Sequence, residues 1–195
     1  MYKHTIGLFF GSFNPVHVGH MIIANHMATH TDLHEIWMVV SPQNPLKPKS
    51  SLANNYDRLD LVKTAIGAAP GIRASNIEFD LPQPSYTVDT LAYLREKYPQ
   101  KDFALIMGGD NLATLEKWKN YEVLLRDYKI YVYQRPGYTL GKFAEHPNVT
   151  VLDDVPLMHI SASYIRKCLR ENKSVKYLVT DAVYDSLEKS GLYTR

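Results

Sequence analysis

The sequence predicts an α/β fold, an open and mostly parallel sheet with helices on both faces and a small helical C-terminal part. Three observations predict it. Short apolar runs alternate along the chain with segments of helical spacing. Several of those runs are apolar over their whole length, as strands covered on both faces must be. The 195 residues, 45% hydrophobic, 11% aromatic and 22% charged, suffice for one sizeable core. The expectation is a single domain over residues 1–195, with no repeat, low-complexity tract or linker dividing it.

Residues 5–10 form an apolar run ended by Gly11-Ser12-Phe13-Asn14-Pro15, a stretch of turn formers. From about His17 the pattern is helical, with Val18, Met21 and Ile22 at i, i+3 and i+4. Residues 36–40 are the next buried strand, stopped by Ser41-Pro42. Residues 41–55 hold Pro42, Pro45 and Pro48 with Lys47 and Lys49, and prolines at that density exclude a regular helix. A loop of that length in a compact domain is often functional. A helix with Leu59, Val62 and Ile66 on one face follows, then a strand over 72–79 and turn chemistry at Pro82-Gln83-Pro84-Ser85.

Residues 87–98 read as a helix with Val88, Leu91 and Ala92 at helical spacing and Thr87 as its cap. The run 103–107 ends at Gly108-Gly109-Asp110, and 111–126 reads as a helix broken near Asn120. Residues 130–133 form a strand closed by Arg135-Pro136-Gly137, 138–148 are irregular, and 149–152 form one more strand. Two helices finish the chain, one with Ile165, Cys168 and Leu169 inward, the other with Val183, Tyr184 and Leu187. In an open parallel sheet of this kind, ligands sit beyond the carboxyl ends of the strands, where strand order reverses.

Composition excludes several classes. Lys plus Arg number 22 against 20 Asp plus Glu, a net charge of +2, so there is no basic excess for a duplex-binding groove. The 14 tyrosines do not alternate with basic residues as a single-strand platform would. Cys168 is the single cysteine and fits a reducing compartment. The run at residues 6–10 is too short for a secretion signal, and nothing approaches the roughly 20 apolar residues of a spanning helix. The expectation is a cytoplasmic protein with neither membrane nor nucleic acid as partner.

The strongest chemical feature is Gly11-Ser12-Phe13-Asn14-Pro15-Val16-His17-Val18-Gly19-His20, between a strand and a helix. Gly11 allows a tight exit, Pro15 stiffens the turn, and Gly19 permits close approach of another chain or ligand. His17 and His20, three apart on a first helical turn, point to roughly the same side. Free backbone donors and the positive end of the helix dipole make such a terminus an anion site, and two imidazoles suit a polyphosphate. The pattern is neither the Walker A loop nor the dinucleotide glycine fingerprint, and His-x-x-His lacks the spacing and third ligand of a zinc helix. His26, His30 and His34 recur every four residues, which suits a polar helix face better than a metal stripe.

This ten-residue segment resembles the motif of the nucleotidyltransferase superfamily, Gly-x-Phe-x-Pro-x-His-x-Gly-His after the first strand. Within it, the chain is similar to bacterial nicotinate-nucleotide adenylyltransferases over nearly its whole length. The resemblance includes Pro45-Leu46-Lys47, Pro84-Ser85-Tyr86-Thr87-Val88-Asp89-Thr90-Leu91, Ile106-Met107-Gly108-Gly109-Asp110, Trp118, Arg135-Pro136-Gly137 and Ile160-Ser161-Ala162-Ser163-Tyr164-Ile165-Arg166. The chain departs from the family pattern at Phe10, where a glycine is common, at Leu46 for histidine, and at Ala162 and Ser163 for serine and threonine.

The resemblance implies a Rossmann-like sheet and transfer of AMP from ATP to nicotinate mononucleotide, giving nicotinate adenine dinucleotide and pyrophosphate. It implies His17 and His20 as catalytic contacts to the phosphates. Gly11, Ser12, Phe13, Lys47, Ser161, Ser163 and Arg166 would hold ATP, and Tyr86, Thr87, Asp110, Trp118 and Lys119 would hold the acceptor. Magnesium would come with the triphosphate, with no protein metal site. Taken singly, most of these residues have ordinary readings: a helix cap and solvated arginine at 161–166, a core tryptophan at 118, a helix-capping Asp110. The rivals are a transferase using nicotinamide mononucleotide or another phosphorylated acceptor, and a module that senses ATP without turnover.

Overall fold

The computed structural model describes residues 4–43, 52–134 and 137–194. Its elements follow in the order β1 (His4–Gly11), α1 (Val18–His30), β2 (Glu35–Val40), α2 (Asn55–Ile66), β3 (Ile72–Ser75), α3 (Thr87–Lys97), β4 (Lys101–Gly108), α4 (Gly109–Ala113), a 3₁₀ turn (Leu115–Lys117), α5 (Tyr121–Asp127), β5 (Ile130–Tyr133), β6 (Val149–Leu152), α6 (Ala162–Arg170) and α7 (Asp181–Ser190). All six strands are parallel, in the order β3-β2-β1-β4-β5-β6. The chain winds outward from β1 to β3, then crosses back to β4 and winds the other way. The loops leaving β1 and β4 therefore part from each other and open a crevice at the carboxyl edge.

The strands are apolar throughout because both faces are covered. Ile6 and Leu8 of β1, Trp37 and Val39 of β2, and Leu105 of β4 pack with Leu91 and Leu94 of α3, Leu112 of α4 and Leu124 of α5. On the opposite face, Phe9, Ile36, Met38 and Ile106 pack with Ile23 and Met27 of α1, Leu59 and Val62 of α2, Ile165 and Leu169 of α6, and Val183 and Leu187 of α7. The alternation along each strand is the pleat of a sheet buried on both sides. Among the described residues no helix is long and apolar enough to cross a membrane.

Several sequence expectations are corrected. The strand expected over 72–79 stops at Ser75. The Ser75 hydroxyl takes the Ile77 N–H, and the Phe79 N–H closes a turn on the Asn76 carbonyl, so local side-chain competition ends this edge strand. Helix α3 is capped by Tyr86, with Thr87 as its first helical residue, and its buried stripe uses Leu94 while Ala92 is exposed. The helix expected over 111–126 breaks at Asn120 as expected, where the backbone is left-handed with φ 51°, and has a further break at Thr114, whose hydroxyl turns back on the Asp110 carbonyl at 3.1 Å. Of the histidine stripe, His26 and His30 stack on α1 with ring centroids 4.2 Å apart, and only His34 leaves the shared face. His26 is buried against Asp154 at 3.3 Å, and His34 lies beyond the end of α1 with its ring against His4. Cys168 is packed in the core, as its place on an apolar helix face predicts.

Candidate active site

The turn from β1 into α1 is shaped by space as much as by backbone freedom. Phe13, and not Gly11, is the left-handed residue (φ 43°), and its side chain is only 2% exposed. Gly11 is required because a Cβ there would lie 2.7 Å from the Phe13 ring. The space beside Gly19 is taken by the chain itself, since a Cβ would meet the His17 ring at 3.1 Å. Phe13 therefore belongs to the core, and its side chain is not left for a ligand.

His17 is the N-cap of α1 and His20 its third helical residue. Their rings stack, with centroids 3.6 Å apart and planes 23° from parallel, and the Phe13 ring meets His20 edge-on at 5.0 Å. The His17 backbone N–H donates to His20 Nδ1 at 3.2 Å. That bond assigns the acceptor role to Nδ1, so neutral His20 carries its proton on Nε2, a donor aimed away from the backbone. His17 is buried and His20 half-buried. The Val18 N–H is taken by the Leu178 carbonyl at 3.0 Å and the His20 N–H by the His17 carbonyl at 2.9 Å, so the two imidazoles and the positive end of the α1 dipole are what this side offers anionic oxygen.

Beneath this turn lies Arg58, whose side chain is fully buried. Its guanidinium donates to the Ser12 carbonyl, to the Ser41 carbonyl at 3.0 Å, to the Ala53 carbonyl at 3.1 Å and to Asn55 Oδ1 at 2.7 Å. The Asn14 side chain accepts from the Ala53 N–H at 3.1 Å, and the Ser41 N–H donates to the Gly11 carbonyl at 2.9 Å. One buried cation thereby ties together the ends of β1 and β2 and the start of α2. Burial lowers its pKa from the ordinary arginine value, and it remains charged.

Across from it, α6 brings the second candidate phosphate segment to the first. The Arg166 guanidinium donates to the Asn14 carbonyl at 2.7 Å and to the Ser163 hydroxyl at 3.3 Å. Ser161 is the N-cap of α6, its hydroxyl accepting the Tyr164 N–H at 3.2 Å. The Arg166–Asn14 hydrogen bond links two segments 152 positions apart in the chain.

The candidate acceptor residues form a second group. Lys119 Nζ lies 2.7 and 3.0 Å from the Asp89 carboxylate oxygens and 4.9 Å from the centre of the Tyr86 ring. Tyr86 and Thr87 open α3, and Trp118, next to Lys119, is half-buried against the core. Asp110 is the second residue of α4, just past the end of β4, and half-buried. Glu78 is 1% exposed, and its Oε1 accepts the Thr90 hydroxyl at 2.8 Å. The expected role of Lys47 falls outside the described residues, as do Leu46 and Arg135-Pro136.

The structure brings Gly11, Ser12, Phe13, His17, His20, Ser161, Ser163 and Arg166 together, and separately joins Tyr86, Thr87 and Lys119. Sequence reasoning missed Arg58, Asn14, Asp89 and Glu78. Arg58 had a signal, a charge adjoining the buried Leu59 stripe. Glu78 was hidden inside a supposed strand.

A family model described as cytidylyltransferase-like matches residues 8–168. A protein of Cytophaga hutchinsonii named "Probable nicotinate-nucleotide adenylyltransferase" is 52% identical over 189 residues, 97% of this chain and 98% of its own. One of the same name from Christiangramia forsetii is 49% identical over 193 residues, covering 98% and 99%. Among solved structures, the Plasmodium falciparum nicotinic acid mononucleotide adenylyltransferase complexed with NaAD aligns with a TM-score of 0.82 over 98% of each chain. Its identity of 21% makes that a likeness of fold.

Two predictions follow from the buried groups. Arg58→Met leaves several carbonyls short of a donor, each costing about 1–3 kcal/mol. A loss of about 2–5 kcal/mol in urea unfolding is expected, and an unchanged midpoint contradicts the role given to Arg58. Burial raises the Glu78 carboxyl above its ordinary value of 4.5. The unfolded chain then releases this proton at lower pH than the folded one, so the Glu78 contribution to stability is lost as pH rises from near 4.5 through the folded pKa. Unfolding curves of wild type and Glu78→Gln across that range should diverge in favour of the variant as pH rises; parallel curves contradict the raised pKa.

Proposed function

The chain belongs to the cytidylyltransferase-like family and, within it, to the nicotinate-nucleotide adenylyltransferases; we propose that its β1–α1 turn and the start of α6 form one triphosphate site, with the start of α3 and Trp118 receiving the other nucleotide. The enzyme joins ATP and nicotinate mononucleotide into nicotinate adenine dinucleotide, with release of pyrophosphate, in NAD biosynthesis. The observation that carries the site reading is the Arg166 hydrogen bond to the Asn14 carbonyl, which sets a fixed cation beside the paired imidazoles.

The acceptor phosphate attacks the α-phosphorus of ATP in line as pyrophosphate leaves. It is anionic at neutral pH, so no strong base is needed, and positioning with charge stabilisation does the catalytic work. His20 Nε2–H is placed to meet the charge that grows on the transferring phosphoryl group, and His17 stacks behind it and adds a second donor. The N–H groups of Gly11, Ser12 and Phe13 line the turn. Arg166, the hydroxyls of Ser161 and Ser163 and the free N–H groups of α6 receive the β- and γ-phosphates. Lys47 adds charge from its proline-rich loop. The donor set of imidazoles, guanidinium and hydroxyls suits phosphate oxygens and not a hard cation, so magnesium is assigned to the ATP, on its phosphates and water.

On the acceptor side, the N–H groups at Tyr86 and Thr87 receive the nicotinate carboxylate, Trp118 offers a flat face to the pyridine ring, and Asp110 accepts from ribose hydroxyls. Lys119 adds positive charge that favours an acid over a neutral amide. The reading places the reaction in the cytoplasm, with its supply of ATP.

His20→Ala should lower turnover by about 100- to 1000-fold in a pyrophosphate-release assay with both substrates saturating. Near-normal turnover would remove His20 from the mechanism. With nicotinate and nicotinamide mononucleotides compared in the same assay, wild type should prefer the acid, and Lys119→Met should narrow that preference by about fivefold. An unchanged ratio would take Lys119 out of acceptor selection.

A further inference from the structure

We infer that Glu78 is a positioning residue for the acceptor nucleotide: its buried carboxyl holds the first turn of α3 in place through Thr90 and so governs affinity for nicotinate mononucleotide. The inference rests on the assignment of Tyr86 and Thr87 to the acceptor and deepens it.

The carboxyl sits where three segments meet. From α3, Thr90, itself 1% exposed, donates to Glu78 Oε1 at 2.8 Å, and the same hydroxyl lies 3.3 Å from the Tyr86 carbonyl at the helix N-cap. The Ser41 and Ser85 hydroxyls lie close enough to the carboxyl to favour its charged form, but Oε2 is buried and makes no hydrogen bond among the described residues. Ser41 is in turn fixed on both sides, its N–H on the Gly11 carbonyl and its carbonyl on Arg58. The Glu78 backbone takes part as well, its carbonyl accepting Gln83 Nε2 at 3.1 Å, while Gln83 Oε1 accepts the Ser85 hydroxyl at 3.3 Å. The Ser85 N–H closes the loop on the Gln43 carbonyl at 3.3 Å.

Residue 90 is thus anchored to the buried carboxyl and residue 85, through Gln83, to the Glu78 backbone, while no hydrogen bond among the described residues runs from the carboxyl to the phosphate group of residues. An apolar side chain would fill the same volume without the desolvation cost of a carboxyl. What it could not do is accept the Thr90 hydroxyl and so hold the first turn of α3. A shift of the α3 start moves the N–H groups of Tyr86 and Thr87 away from the acceptor carboxylate while the imidazole pair and Arg166 stay in place. The effect of losing Glu78 therefore falls on one substrate.

The test is steady-state kinetics of wild type, Glu78→Ala, Glu78→Gln and Thr90→Val, varying each substrate in turn. Glu78→Ala should raise KM for nicotinate mononucleotide about tenfold, the scale of one lost buried hydrogen bond, with KM for ATP and kcat within about twofold. Glu78→Gln keeps an oxygen for Thr90 and should restore most of the acceptor affinity; Thr90→Val should raise the acceptor KM alone, by less. Equal rises in both KM values, a flat acceptor KM, or a Gln variant no better than Ala would overturn the inference. If Glu78→Ala does not fold, Thr90→Val decides: a selective rise supports the inference and an unchanged acceptor KM contradicts it. Wild type inactive on nicotinate mononucleotide would overturn the acceptor assignment itself, whereas active wild type with flat variants overturns only the role of Glu78.

Discussion

The Arg58 guanidinium has no contact with solvent, and its lost hydration is offset only where carbonyl oxygens converge on it. Those oxygens come from Ser12, Ser41 and Ala53, with Asn55 Oδ1 beside them. The chain leaving β1 must therefore turn its carbonyl down toward α2, which leaves the next residues, up to His17, to turn over the sheet edge. A neutral side chain would permit several courses for this turn; a buried cation permits few. The left-handed Phe13 and the missing Cβ at Gly11 are consequences of that course.

From this constraint the rest of the site follows in order. Once the turn is set, His17 caps α1 and its N–H fixes the orientation of the His20 ring three residues on. The Asn14 carbonyl, held by the same turn, becomes the acceptor that draws Arg166 in from α6. Helix α6 is far away in sequence and reaches the crevice because its other face carries Ile165, Cys168 and Leu169 into the core beside α1 and α2. Packing delivers the guanidinium, and its hydrogen bonds to the Asn14 carbonyl and the Ser163 hydroxyl aim it. The acceptor group stands beside this frame, its Ser85 N–H closing on the Gln43 carbonyl just past β2 and its first helical turn held by the buried Glu78.

Much of this was legible in the sequence. Continuous apolar runs such as 36–40 and 103–107 announce a sheet covered on both faces, and all six strands are parallel. The strand at 130–133 and the strand at 149–152 have the expected bounds because each is a short apolar run between turn formers. The paired histidines were legible because their spacing on a helix start dictates a shared side. What escaped was decided by side-chain hydrogen bonds. Ser75 ends β3 through its own hydroxyl, Thr114 adds a second break to the helix expected to break near Asn120, and Arg58 and Glu78 are polar groups whose burial depends on partners elsewhere in the chain. Periodicity reports burial of apolar side chains and is silent about a charge that finds enough carbonyls.

The central claim is that the β1–α1 turn and the start of α6 act as one receptor for triphosphate oxygens. A crystal structure with a non-hydrolysable ATP analogue tests it most directly. The account predicts phosphate oxygens within about 3 Å of both His20 Nε2 and the Arg166 guanidinium in the same molecule. Phosphates that touch only one of the two segments, or a nucleotide bound elsewhere on the chain, would contradict it.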